Sequence, residues 1–174
     1  AAFRGSSDDA LVEFCLAQQD EFGNPTNGID RINIGQDSVT FSDMQTIVKP
    51  NTIWDATKYL NLWTNQMNYP ASGLLGIAQF PWQLSSMPST DGVIINYKAF
   101  GTISAASPYD LGRTATHEVG HWLGLKHIWG DEPACAVDDS IADTPLQGNK
   151  NFGVPTFPLY DPCAVNYPSE ESIA

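Results

Sequence analysis

The chain has 174 residues, 42% of them hydrophobic, enough for one domain with a real core. No apolar run approaches the twenty or so residues that cross a bilayer, and a formal charge of −12 argues against nucleic acid or an anionic membrane surface as partner. The charge is uneven: residues 128–174 hold eight Asp and Glu against Lys150 alone, so −7 of the total lies there.

Residues 1–10 are small, polar and charged and read as a loose lead-in. No basic-then-apolar signal segment precedes Ala1, so a processed form or a fragment is expected. Val12, Phe14 and Leu16 alternate with Glu13, Cys15 and Ala17, the pattern of a half-buried strand. Asp20 to Gly28 carries dense turn chemistry and predicts an exposed loop. Ile29, Ile32 and Ile34 suggest a second extended piece, the return arm of a hairpin. Ser42 to Asn51 is ambiguous: Ser42 or Asp43 could cap a helix, and Pro50 would end it early.

Tyr59 to Trp63 is a compact β-prone run, placed as a central strand. Leu74 to Phe80 reads as another, closed by Pro81 and thinned by Gly76. Glycines in a strand often mark an edge that another backbone approaches. Leu74, Leu75, Gly76, Ile77 and Ala78 could thus cradle an extended peptide by strand addition, or form a plain glycine-containing strand. Val93 to Tyr97 is nearly all apolar and predicts a strand covered on both faces. Ser107 and Pro108 offer a cap and a first-turn proline, with Asp110 near the positive helix end. A helix is therefore predicted from between Ser107 and Gly112 to about Leu123.

That helix carries the chemistry. All three histidines of the chain fall within residues 117–127, as HEVGHWLGLKH. His117 and His121 stand one turn apart, rotated by about 40°, so both imidazoles can address one ion. Gly124 suits the left-handed conformation that ends a helix, and the reversal lets His127 return as a third nitrogen donor. Three neutral imidazoles leave a fourth tetrahedral position for water, the pattern of a catalytic zinc site. Zinc acidifies such a water, and Glu118, beside the ion, can take its proton and pass it to a leaving amine. His-Glu-x-x-His alone occurs by accident on surface helices. The added glycine and third histidine make this a zinc-peptidase motif.

Beyond His127, five carboxylates crowd thirteen residues: Asp131, Glu132, Asp138, Asp139 and Asp143. Such a segment is either well solvated or neutralised by a cation such as calcium, and its spacing is not that of an EF-hand. Three cysteines cannot all pair. Cys135 and Cys163 flank the acidic region, and a bridge between them would contribute roughly 3–4 kcal/mol by loop closure and imply an oxidising, extracellular setting. Cys15 reads as a small buried apolar residue. The alternative is three free thiols in a cytosolic protein.

The motif resembles the metzincin zinc signature. The longer run DGVIINYKAFGT (91–102), then YDLGRTAT (109–116) leading into HEVGHWLGLKHIWGD, is similar to the pappalysin family. The resemblance implies an α+β fold: a three-layer α/β/α-like zincin N-terminal subdomain over residues 1–127 and a partial, acidic, disulfide-tied C-terminal subdomain over 128–174. It further implies a twisted, mostly parallel sheet whose antiparallel edge strand lines the cleft. Zinc would be held by His117, His121 and His127, with Glu118 as general base and acid. Calcium would lie near Asp131, Asp139, Asp143 and Thr144, a Cys135–Cys163 bridge would form, and arginine would be favoured after the scissile bond. The family also has a methionine-containing turn beneath the zinc. Here Met44, Met67 and Met87 all precede the motif, and Tyr160 and Tyr167 follow no methionine. The family's first strand and helix are likewise missing ahead of Ala1, so the chain reads as cut at both ends.

The reading is a secreted, monomeric zinc endopeptidase acting on proteins and peptides, without nucleic acid or membrane insertion. The rival is a zinc-retaining but catalytically silent binding module or inactive fragment. A purely structural zinc domain would have no use for Glu118.

Overall fold

The structure, a computed structural model, describes residues 11–68, 73–102, 105, 107–132, 135–151, 153 and 161–163. The expectations placed on the lead-in and on Tyr160 and Tyr167 lie outside them.

The sheet is built around β3 (Val93–Asn96), whose first three residues are fully buried. β1 (Leu62–Asn65) pairs with it in parallel and β2 (Gly76–Ala78) antiparallel, in the order β1-β3-β2. β1 starts at Leu62 and not at the predicted Tyr59, because a turn held by the Asp55 carboxylate and the Asn61 amide occupies the preceding residues. The antiparallel ladder extends past β2, since Asn96 N–H donates to Leu75 O and Gln79 N–H to Gly92 O.

Register decides which face each side chain serves. Trp63, Ile94 and Ile77 are cross-strand partners and share one face, where they pack with Met44, Val48, Val39 and Met67. Val93 and Ile95 point the other way, opposite the small residues Ala78 and Gly76, toward the helix α3 (Arg113–Trp122). The domain is thus a mixed sheet between two helical layers, as the α+β expectation had it.

The first layer resolves the ambiguity over Ser42–Asn51. It is helical throughout: α1 (Phe41–Asp43), a π-helical turn (Met44–Val48) and α2 (Lys49–Thr52). Thr40 is the cap, not Ser42 or Asp43; its hydroxyl accepts from Asp43 N–H. Pro50, expected to end the helix, lies inside it. The wider π turn just before leaves room for the ring where an α turn would clash with the carbonyl four residues back.

Two expectations for the N-terminal part fail. Residues 11–17 form no strand, and Val12, Phe14 and Leu16 are exposed. The Ile29–Ile34 piece is likewise unpaired and exposed among the described residues. The turn between them exists, closed by one bridge between Gln19 and Pro25 and by Asp20, whose carboxylate accepts from Phe22 and Asn24 N–H. An alternating pattern becomes a strand only when a neighbour pairs along it, and here the arms make one bridge and no ladder. Cys15, expected to be buried, is an exposed free thiol for the same reason.

Candidate metal centre

α3 begins at Arg113, later than a Ser107 cap would have it, because Gly112 in a left-handed conformation takes the N-cap position. Its C-terminus follows the sequence closely. Gly124 has φ +102°; its N–H donates to His121 O and Leu125 N–H donates to Gly120 O, both at 2.9 Å. This pair of bonds is the Schellman closure, for which a glycine accepts the positive φ without strain. The reversal also turns Leu125 O back onto the helix, where it meets His121 Nδ1 at 2.6 Å.

Beyond the reversal, His127 closes a second tight turn. Gly130 N–H donates to His127 O at 2.8 Å, and Asp131, at φ +65°, brings its carboxylate onto His127 Nδ1. The three Nε2 atoms then converge: 3.0 Å from His117 to His121, 3.2 Å from His121 to His127 and 3.3 Å from His127 to His117.

Those distances suit a metal better than they suit one another. A carbonyl only accepts, so His121 Nδ1 carries the proton and its Nε2 is a lone pair; the Asp131 carboxylate does the same for His127. Converging lone pairs repel unless a cation sits among them. Three nitrogens at about 2.0–2.1 Å from a tetrahedral zinc lie about 3.3 Å apart, close to the separations found. The donor set therefore fits zinc, with His117, His121 and His127 as its holders. Stacking fixes the rings further: Trp129 lies flat on His127 with centroids 4.3 Å apart, and Phe80 meets His121 edge-on. Burial and the two neighbouring imidazoles hold His117 below the usual histidine range.

Glu118 projects from the adjacent helix position toward β2. It is buried, and that burial pushes its carboxyl up to about 7. A cleft of about 610 Å³ brings together the three histidines, Glu118 and the predicted edge residues Leu74, Leu75, Gly76, Ile77 and Ala78. Gly73, Phe80, Arg113, Thr114 and Asp131 complete its walls.

The acidic residues do not converge. Among the described residues, the groups of three or more potential ligands within 4.8 Å of one another are the histidine triad and Cys135, Asp161, Cys163. Both cysteines of the second group are spent in a Cys135–Cys163 disulfide. Asp131 is turned to His127, the buried Asp139 accepts from Ile141 N–H, Asp143 is exposed, and Thr144 N–H donates to Ile141 O. Among the described residues, the side-chain oxygens of Asp131, Asp139 and Asp143 thus do not gather within 4.8 Å of one another.

Two functional contacts escaped the sequence reading. Composition groups Asp131 with the acidic cluster, although its position just after a turn glycine and four residues from His127 is a usable signal for a histidine partner. Asp91 offered no local signal. It is buried just before β3, and its carboxylate accepts from Trp122 Nε1 at 3.1 Å, tying the end of α3 beside His121 to the sheet.

Sheet order, helix placement and a three-histidine centre facing an antiparallel edge strand define the α+β metzincin class. The model of the pregnancy-associated plasma protein-A peptidases, the pappalysins, matches residues 43–164, and the chain belongs to that family. Mature mirolysin of Tannerella forsythia, solved in complex with a cleaved peptide, superimposes with a TM-score of 0.83 at 46% identity, covering 94% of this chain and 61% of that one. Mirolysin in complex with compound 9 gives a TM-score of 0.82 at the same identity. An extracellular metalloprotease of Arthroderma benhamiae is 41% identical over 90 residues, 49% of this chain and 32% of that protein. One of Colletotrichum graminicola is 38% identical over 87 residues, 48% of this chain and 31% of that protein. The chain thus spans less than two thirds of the mirolysin chain, and its match covers about a third of these curated relatives.

Proposed function

We propose that this chain is the zinc-binding part of an endopeptidase that hydrolyses peptide bonds in proteins. The observation that carries the reading is the convergence of three imidazole Nε2 atoms in the cleft that also holds Glu118 and the β2 edge. Held by His117, His121 and His127, zinc would supply Lewis-acid polarisation of the scissile carbonyl and acidification of water. Glu118 accepts the proton of the attacking water and returns it to the leaving amine. Its carboxyl is buried in the same cleft as the three imidazoles, within reach of a water at their centre. The β2 edge aligns an extended substrate by strand addition, and Phe80 lines the same cleft. The cleaved peptide bound to mirolysin supports peptides as the substrate class.

Family membership supports a preference for arginine after the scissile bond. The extracellular relatives and the Cys135–Cys163 bridge support secretion. Carboxylate crowding in 131–143 and family membership support a structural calcium near Asp131, Asp139, Asp143 and Thr144.

Cleavage of a denatured protein tests the reading. Turnover should stop with a chelator, and Glu118→Gln should lower it by about 10²–10⁴-fold with zinc still bound. Sequencing the products should find arginine after the cuts. Undiminished turnover in Glu118→Gln contradicts the reading, and zinc binding without cleavage in the wild type favours a silent binding module.

A further inference from the structure

We propose that Gly76 is a positioning residue for Glu118: the side chain it lacks is the socket in which the glutamate is held. The inference rests on the reading of Glu118 as the proton carrier and adds what aims it.

Gly76 lies in β2, buried, and paired with Ile95 on the face that looks toward α3. It is not among the glycines with positive φ, so the backbone does not require glycine there. A glycine inside a strand weakens it and asks for another reason, often a close approach. An ideal Cβ at position 76 would lie 2.5 Å from Glu118 Cγ, 2.9 Å from Cδ and 2.8 Å from Oε1. Those three Glu118 atoms are the nearest it would meet. By contrast Gly73, also in the cleft, has nothing within 4 Å of such a Cβ.

Three facts make the glutamate the part that must yield. The strand is fixed on both sides of Gly76 by Asn96 N–H to Leu75 O at 2.7 Å and Gln79 N–H to Gly92 O at 3.1 Å. The helix position is fixed by His117 on one side and His121 on the other, both committed to the triad. Among the described residues no protein group hydrogen-bonds the Glu118 carboxyl, and its contact with Gly76 bounds it on the β2 side. A methyl group at 76 would therefore leave the fold and the imidazoles in place and move the carboxylate. Displacement of a proton carrier by about 1 Å is enough to lower turnover by about 100-fold.

The test is a cycle of Gly76→Ala, Glu118→Ala and the double variant, read by the denaturant midpoint of the chelated chain, with kcat, KM and zinc affinity measured for Gly76→Ala. With Glu118 present, Gly76→Ala should lower the midpoint. With Glu118→Ala it should leave the midpoint unchanged or raise it, since alanine outperforms glycine once the clash is gone. Turnover should fall by about ten- to a hundredfold in kcat, with KM and zinc affinity unchanged. Additive midpoints, or an unchanged kcat, overturn the proposal. If Gly76→Ala alone does not fold, the double variant must; failure of both also overturns it. Turnover that survives Glu118→Gln would remove the proton carrier while leaving the cycle intact, so the two failures are distinct.

Discussion

The turn after α3 brings His127 back to the triad, and a residue four places further on orients its ring. The Asp131 carboxylate fixes the proton on Nδ1 and frees Nε2, as Leu125 O does for His121. Removing such a partner typically lowers metal affinity by about 10–100-fold. Asp131→Ala should therefore weaken zinc binding by that factor in competition with a chelating dye, and Asp131→Asn, which keeps an acceptor, should lose less. Equal affinity in all three chains would remove Asp131 from the site. Legibility at this scale depended on locality. His117, Glu118, His121, Gly124 and His127 are readable because helix phase and one reversal relate them within eleven residues. The contact of Asp131 with His127 is not legible because charge crowding and a hydrogen bond draw on the same residue type, and composition does not say which way a carboxylate turns.

At the scale of elements, α3 is anchored at the end that bears the ligands. Trp122 donates to the buried Asp91, and Lys49 reaches the same region from α2: its Nζ donates to Thr90 O at 2.8 Å and lies 5.0 Å from the Trp63 ring. Burial lowers the Lys49 pKa to about 8, against the opposing pull of Asp91. The unfolded chain, near 10.5, then binds more protons between those values than the folded one. The penalty of the buried charge is present in full below pH 8 and relieved above it. Stability should rise across this window by up to about 3 kcal/mol, and Lys49→Met should abolish the rise. Identical pH slopes in denaturant unfolding of the two chains would contradict this. None of these contacts could be read from the sequence, since 42 residues separate Lys49 from Asp91 and 31 separate Asp91 from Trp122. β3 and the β2 edge were legible from apolar runs bounded by Gly and Pro. The Val12–Ala17 alternation misled because periodicity records a face that could be buried, not a partner that buries it.

The whole molecule combines a well-packed three-layer part with a C-terminal stretch that has little regular structure among its described residues. There the Cys135–Cys163 bridge closes a loop of 28 residues, reinforced by Asp161, which accepts from Gly148 and Cys163 N–H. Replacing both cysteines by serine should lower unfolding stability by about 3–4 kcal/mol, leaving the triad in place. A stability unchanged within error would show that the region is held by other contacts. What unites these parts is the centre formed by α3 and the turn after it. Zinc-edge X-ray absorption of the metal-loaded chain tests it most directly. One zinc per chain with three imidazole nitrogens at about 2.0–2.1 Å and one further oxygen is the expected result. A chain that takes up no stoichiometric zinc, or binds it with fewer than three imidazoles, would contradict the account.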